Sequence, residues 1–357
     1  MQVAILGAGA IAYGTAALLR SHGHSVRLWS PSGQRGRALE TGPLLAKGAL
    51  EGRFEVGVAK SCADVLDGAE VAIVALPANG HRAVIEAAAP HLRAGQTVIF
   101  SSHASFGALY LDRLLTDRGV RLPIVVWGTT VVTGRQPQDD TVTVNTVRSK
   151  VDIATLPATH GEQGLALCQA LFGDRFVLRD GLLAIALSNL NPQNHLGIAM
   201  FNLTRMERGE TWGQGENVTP LVGRLLEQLD LERLAIAEAL GLSVRTIFEH
   251  FHLSFHVPVA SISEMNQQMH AEGRGGFGPT TAQSRYVLED VPFGLVPTAL
   301  LGRLVGRPAK LHEAGITLLS AAYGRDFKED NDLLPVSGIE GRGIDELVRL
   351  CREGSAA

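Results

Sequence analysis

In the first half of the chain, short apolar and β-branched runs alternate with segments whose apolar positions recur at helical spacing. The runs 2–6, 25–29, 71–75, 97–100 and 124–126 read as buried strands, and 10–22 and 80–92 as helices between them. Strand, helix, strand at this spacing predicts parallel βαβ units and a doubly wound sheet, because a parallel connection needs a crossover helix. Two later runs, 141–145 and 150–155, lie too close to neighbouring strands for such crossovers. They are expected as an antiparallel edge or hairpin, with Asp139-Asp140 marking a turn.

The texture changes after Asp180. Segments 182–208, 220–240 and 243–252 carry apolar residues at helical spacing, as in Val222, Leu225, Leu226, Leu229, Ile236 and Leu240, and strand patterns nearly vanish. A glycine-rich interruption occupies 273–279, and a last helix is expected at 344–352. The predicted fold class is therefore α/β, a doubly wound sheet over residues 1–180 followed by an all-α helical domain over 181–357. Two domains also fit a length of 357 residues.

Composition narrows the function classes. With 45 % apolar and 19 % charged residues the chain can bury two cores and is not disordered. A net charge of −4 offers no basic excess, so neither nucleic acid nor a membrane surface is an expected partner. No apolar run is long enough to span a bilayer. The first apolar run follows Met1-Gln2 without a basic leader, so a secretory signal is not expected. Cys62, Cys168 and Cys351 are far apart, odd in number and without metal-ligand spacing; they read as reduced thiols in a cytoplasmic protein.

One motif carries chemistry at once. Gly7-Ala8-Gly9-Ala10-Ile11-Ala12 follows a strand and opens a helix. The first glycine allows the tight turn, the second lets backbone approach a pyrophosphate, and the small Ala12 lets helix pack on sheet. The helix amino terminus, from Ala10 and Ile11, offers free N–H groups and a positive dipole end. The context, more than the string, points to a Rossmann-type dinucleotide site. The end of the second strand reads Trp29-Ser30-Pro31-Ser32-Gly33-Gln34-Arg35-Gly36-Arg37, with no carboxylate before Glu40. Ser30 with Arg35 and Arg37 suits the 2′-phosphate of NADP better than the bare ribose of NAD, although solvated loop arginines are the plainer reading. NADP is the expected cofactor, with NAD as the alternative. The loop Leu76-Pro77-Ala78 after the strand at 71–75 should lie over the cofactor; His81 is as readily a turn residue, and Ser101-Ser102-His103 faces the same way.

A hydride carrier needs a proton partner. The five lysines are Lys47, Lys60, Lys150, Lys310 and Lys328, so none lies between Gly181 and Ala309. That argues against ketopantoate-reductase-like and hydroxyacid-dehydrogenase-like chemistry built on a lysine of the helical domain. His195, in Asn191-Pro192-Gln193-Asn194-His195, sits where polar residues interrupt an apolar helix pattern near the domain junction. Imidazole titrates near neutrality and suits proton transfer, while a lone histidine is more often structural. His252 and His256 are four apart, which alone makes no metal site.

These residues resemble the octopine/nopaline (opine) dehydrogenases along nearly the whole chain. The resemblance runs through Gly7-Ala8-Gly9, Leu76-Pro77-Ala78, Asn191-Pro192-Gln193-Asn194-His195 and Asp230-Leu231-Glu232-Arg233. It ends with Arg285-Tyr286-Val287-Leu288-Glu289-Asp290-Val291-Pro292-Phe293-Gly294-Leu295-Val296. The last string and N-P-x-x-H are the specific ones. The resemblance implies a catalytic pair of His195 and Asp290, meeting at the interdomain crevice, and NAD(P)H-dependent condensation of an amino acid with an α-keto acid. Asn191 and Arg285 are then expected at the substrate, with Arg135, Arg205 and Arg325 as further cations for its carboxylates. Small molecules are the expected partners, in a chain that forms a homodimer if it assembles at all. Segments 209–216 and 250–256 match no assigned pattern and are candidates for amino-acid selection, with Trp212 in a lid or an exposed loop. Two alternatives stay open: a dehydrogenase of hydroxy or keto acids, and a dinucleotide-binding sensor without turnover.

Overall fold

The strand–helix alternation is realised in a computed structural model describing residues 1–355. Twelve strands form among the described residues. They are β1 (Gln2–Leu6), β2 (Ser25–Trp29), β3 (Leu44–Gly48), β4 (Gly52–Phe54), β5 (Gly57–Val58) and β6 (Val71–Val74), followed by β7 (Thr97–Phe100), β8 (Ile124–Trp127), β9 (Val132–Gln138), β10 (Thr141–Val147), β11 (Val151–Leu156) and β12 (Phe176–Leu178). The main sheet has the order β12-β11-β8-β7-β6-β1-β2-β5. Its strands from β5 to β8 run parallel, and β11 is antiparallel to β8. Strands β6, β7 and β8 are buried at every residue, which is why they read as continuous apolar runs without alternation. Chain order reverses at β1, between β2 and β6, so the carboxyl ends of these strands define the ligand crevice of a doubly wound sheet.

The later strands differ from expectation. β10 pairs with β9 across the Asp139-Asp140 turn, in a separate sheet of order β4-β3-β10-β9, whereas β11 joins the main sheet. The two runs are therefore not partners. β9 (VTGRQPQ) contains proline and few apolar residues, so it carries no strand pattern. It is held instead by the β10 ladder and by the helix Ala10–Ser21, against which the small sheet packs.

Two compact units result. The first comprises Met1–Ala186, Leu333–Glu340 and the chain from Asp345 onward; the second comprises Leu187–Asp332 and Gly341–Ile344. The division departs from 181–357 at both ends. Helix Gly181–Ala186 is buried in the first unit, and helix Ile344–Glu353 inserts Leu347 and Cys351 there, the Ser355 N–H reaching the Asp112 carboxylate at 2.6 Å.

In the second unit the expected helix 182–208 is interrupted at 187–190 and restarts as Asn191–Glu207, with Pro192 in its first turn where no backbone donor is needed. Helix Pro220–Ala239 packs beside it. Helix Ile247–Phe255 starts four residues later than 243, at a capping box formed by Thr246 and Glu249. Between these helices lies a buried polar knot. Asp230 accepts from the Arg233 guanidinium at 2.7 Å, the Gln193 amide at 2.9 Å and the Ile247 N–H at 2.8 Å. Arg233 also donates to the carbonyls of Leu187 and Arg245.

Candidate active site

The glycine turn is built as its sequence requires. Gly7 has φ +145° and donates its N–H to the Trp29 carbonyl at 2.7 Å. A Cβ there would stand 2.1 Å from the Ala75 carbonyl oxygen, so only glycine lets β1 turn beside β6. Gly9 then caps the helix Ala10–Ser21 with no side chain in the way. The first turn, Ala10, Ile11 and Ala12, aims unpaired N–H groups at the crevice mouth, as a pyrophosphate requires. The guanidinium of Arg35 stands 3.6 Å from where a Gly9 Cβ would be. Tyr13 fixes the backbone beneath it, donating its hydroxyl to the Arg35 carbonyl at 2.5 Å, and burial pushes the Tyr13 phenol up to about 12.

Beside this turn lies a cavity of about 360 Å³, lined by Trp29, Ser30, Ser32, Arg37, Glu40 and Lys60 among others. Ser30 is thus at the cavity with Arg37, while Arg35 reaches toward the glycine turn. Lys60 is an addition that inspection of the second strand missed, because it follows β5 and reaches the cavity only through the β2–β5 pairing. The donor set fits a dinucleotide: bare backbone for the pyrophosphate, and a hydroxyl with two cations at the adenosine end.

Leu76, Pro77 and Ala78 follow the carboxyl end of β6 and lead into a tight turn at Ala78–Gly80. His81 is buried and bonds through Nε2 to the Leu76 carbonyl at 3.0 Å, which makes it a brace for this loop. Burial pushes its imidazole down to about 4, and that of His103 down to about 3. Burial disfavours the charged form of both rings.

The second unit holds a different group. His195 Nδ1 donates to Asp290 Oδ2 at 2.6 Å, with side-chain exposures of 14 % and 10 %. The two residues lie 95 apart in sequence but within the same unit, so they meet inside it and not across a domain boundary. His195 is on the second turn of helix Asn191–Glu207. Asp290 precedes a π-helical turn, Val291–Leu295, that lies against the same helix. A Cβ on Gly294 would stand 2.3 Å from Pro192 Cγ, so a glycine here is what permits the approach. With Nδ1–H committed to the carboxylate, the tautomer is set and Nε2 is the nitrogen able to exchange a proton.

The remaining expected residues are distributed unevenly. Asn191 begins the His195 helix, its N–H bonded to the Asn189 side chain at 3.1 Å. Arg285 is exposed and pairs with Glu289 at 3.6 Å. Arg325 pairs with Asp330 and stacks on Phe327, Arg205 is exposed, and Arg135 lies on β9 in the other unit. Trp212 is buried at 3 % exposure and donates its indole N–H to the Pro279 carbonyl at 3.0 Å, so it is a packed anchor and not an exposed lid residue. His252 bonds to the Val257 carbonyl at 2.8 Å. Among the described residues no three potential metal ligands converge, and no helix is long and apolar enough to cross a membrane.

Two family models match separate parts of the chain. Residues 178–323 match the family model for the α-helical domain of NAD/NADP octopine/nopaline dehydrogenase, and residues 3–107 match that for ketopantoate reductase PanE/ApbA. The fold is that of a solved octopine dehydrogenase described with NADH and L-arginine (TM-score 0.82, 16 % identity, 100 % of this chain and 99 % of that one). It is also that of NADP+-bound yersinopine dehydrogenase (TM-score 0.67, 16 % identity, 99 % and 98 %). The opine dehydrogenase of Arthrobacter sp. (strain 1C) is 32 % identical over 351 residues, 95 % of either chain. By that likeness, and by the helical domain that carries His195 and Asp290, the chain belongs to the opine dehydrogenase family of NAD(P)-dependent oxidoreductases acting on CH–NH bonds.

Proposed function

We propose that this chain condenses an amino acid with an α-keto acid and reduces the product, with His195 as the proton-transfer group and Asp290 as its anchor. The observation that carries the reading is the 2.6 Å bond between them inside the helical unit. The amine of one substrate attacks the keto carbon of the other, water leaves, and a C=N bond forms. The bound nicotinamide supplies the hydride that reduces it. His195 Nε2 delivers the proton that the condensing oxygen or the product nitrogen needs, and takes one back in the reverse direction. Asp290 stabilises the imidazolium present between those events. The amino-acid and pyruvate complexes solved for octopine dehydrogenase support small-molecule substrates of this kind. The test is consumption of NADPH with pyruvate alone, with an amino acid alone, and with both across a panel of each. Turnover that requires the pair supports the reading; turnover with the keto acid alone makes the chain a hydroxyacid dehydrogenase, and none with any pair leaves a sensor.

NADP is the proposed cofactor, and the cavity residues Ser30, Arg37 and Lys60 support it. Removing either cation costs a charge-assisted hydrogen bond to a 2′-phosphate. Arg37→Ala and Lys60→Ala should therefore each weaken NADPH binding about tenfold and leave NADH binding unchanged. Titration of cofactor fluorescence reads this without turnover; equal losses for both cofactors would place the cations elsewhere. Three cysteines that are all buried and free support a reducing, cytoplasmic setting. A homodimer is the assembly proposed for this chain.

A further inference from the structure

The imidazole of His195 is held by two groups, and only one of them is a carboxylate. Tyr286 lies flat on its face, with ring centroids 3.5 Å apart and planes inclined by 10°. Tyr286 and Asp290 are four residues apart on one helical stretch, along which Glu289 bonds back to Arg285 and Phe293 to Glu289. That spacing puts both side chains on the same side. One takes the ring's edge and the other its plane.

The tyrosine is itself tethered. Its hydroxyl donates to Gln214 Oε1 at 2.6 Å. Gln214 belongs to a glycine-rich strip in which the Gln214 N–H reaches Gly276 at 3.0 Å, Gly215 reaches Gly275 at 3.1 Å, and Gly213 bridges Phe277. Trp212 anchors the strip by packing on Gly278, where a Cβ would come within 2.1 Å of the indole. The strip joins segment 209–216, which matched no assigned pattern, to the glycine-rich interruption at 273–279.

We propose that Tyr286 is a positioning residue for proton transfer, fixing the plane of the His195 imidazole, and that Gln214 holds Tyr286 in register from the glycine-rich strip. The proposal rests on the reading of His195 as the proton-transfer group. A carboxylate on Nδ1 restrains one atom and leaves the ring free to swing about that bond. A face-to-face partner removes that freedom, and its π-face also suits the imidazolium. Misplacement of a reacting group by an ångström can cost about a hundredfold in rate.

The test uses Tyr286→Leu, Tyr286→Phe, Gln214→Ala and the last two combined, in the full-length protein. Tyr286→Leu should lower kcat about ten- to a hundredfold with little change in the KM of either substrate. Tyr286→Phe keeps the face and should restore kcat to within about threefold. Gln214→Ala should match Tyr286→Phe, and the double variant should lose no more than either, because both remove the same bond. Proton NMR of the His195 ring N–H, shifted downfield by its short bond to Asp290, gives a readout without turnover. It should persist in Tyr286→Phe and broaden or vanish in Tyr286→Leu. That signal separates failure of the stack from failure of the assigned reaction. A Tyr286→Leu protein with unchanged kcat and unchanged resonance would overturn the proposal, as would Tyr286→Phe being as damaged as Tyr286→Leu.

Discussion

Replacing His195 with alanine is expected to lower kcat by roughly 10²–10⁴-fold, the usual contribution of a positioned acid–base group. Cofactor affinity should change by less than about twofold, because the glycine turn and its cavity lie in the other unit and contain no part of this histidine. Asp290→Asn should also be costly. Its amide cannot stabilise an imidazolium as a carboxylate does, and the N–H end of the amide can present itself to Nδ1 and reverse the tautomer. The two losses should not add, since Asp290 acts only through His195; the double variant should resemble His195→Ala alone. Steady-state kinetics paired with cofactor titration separates the effects. A His195→Ala enzyme that retains near-normal kcat removes the imidazole from the chemistry.

The largest stability effect is expected at Asp230. It and Arg233 are each 2 % exposed, and four hydrogen bonds converge on the carboxylate from Gln193, Ile247 and two guanidinium nitrogens. Asp230→Ala leaves the Arg233 charge in the core with only carbonyls for partners. Breaking a buried pair in this way costs about 3–5 kcal/mol. For a protein of this size that corresponds to a fall in Tm of roughly 4–7 °C. Removing both charges at once, as in Asp230→Leu with Arg233→Met, should be much milder, because no unpaired ion remains. The contrast between single and double replacement distinguishes the ion pair from simple packing. If the double variant is as unstable as the single, the knot contributes by shape and not by charge. Gln193, two residues before His195, ties the start of the His195 helix to this knot. Fold and site therefore share one buried support.

Much of this was legible along the chain, for identifiable reasons. β6, β7 and β8 are buried on both faces, so their apolar runs are unbroken and easily found. Gly7 and Gly9 stand next to a strand and a helix that both announce themselves. The small sheet was hidden because β3, β4 and β9 owe their conformation to pairing and to the helix Ala10–Ser21, not to local pattern. The carboxyl-terminal helix is amphipathic wherever it packs, so periodicity alone could not say that Leu347 and Cys351 insert into the first unit. The same limit applied to the site. His195 stood out as an imidazole where polar residues interrupt a helix pattern, but Asp290 was marked only by a family string, and the physical sense of pairing them needed a contact across 95 residues. Tyr286 stands in the same string, but a ring stack has no sequence signature beyond its four-residue distance from Asp290. Lys60 reaches the cavity beside the glycine turn through a strand pairing of two residues.

The central claim is that a C=N bond built from an amine and an α-keto acid is what becomes reduced. It is tested most directly by supplying NADPH deuterated on the transferred hydride position together with pyruvate and an amino acid, and weighing the products. The account predicts one deuterium on the new CH–NH carbon of a secondary amine, and at least about a hundredfold less of that product in the same time from the His195→Ala protein. Deuterium found in lactate, with the amino acid recovered unchanged, would contradict it.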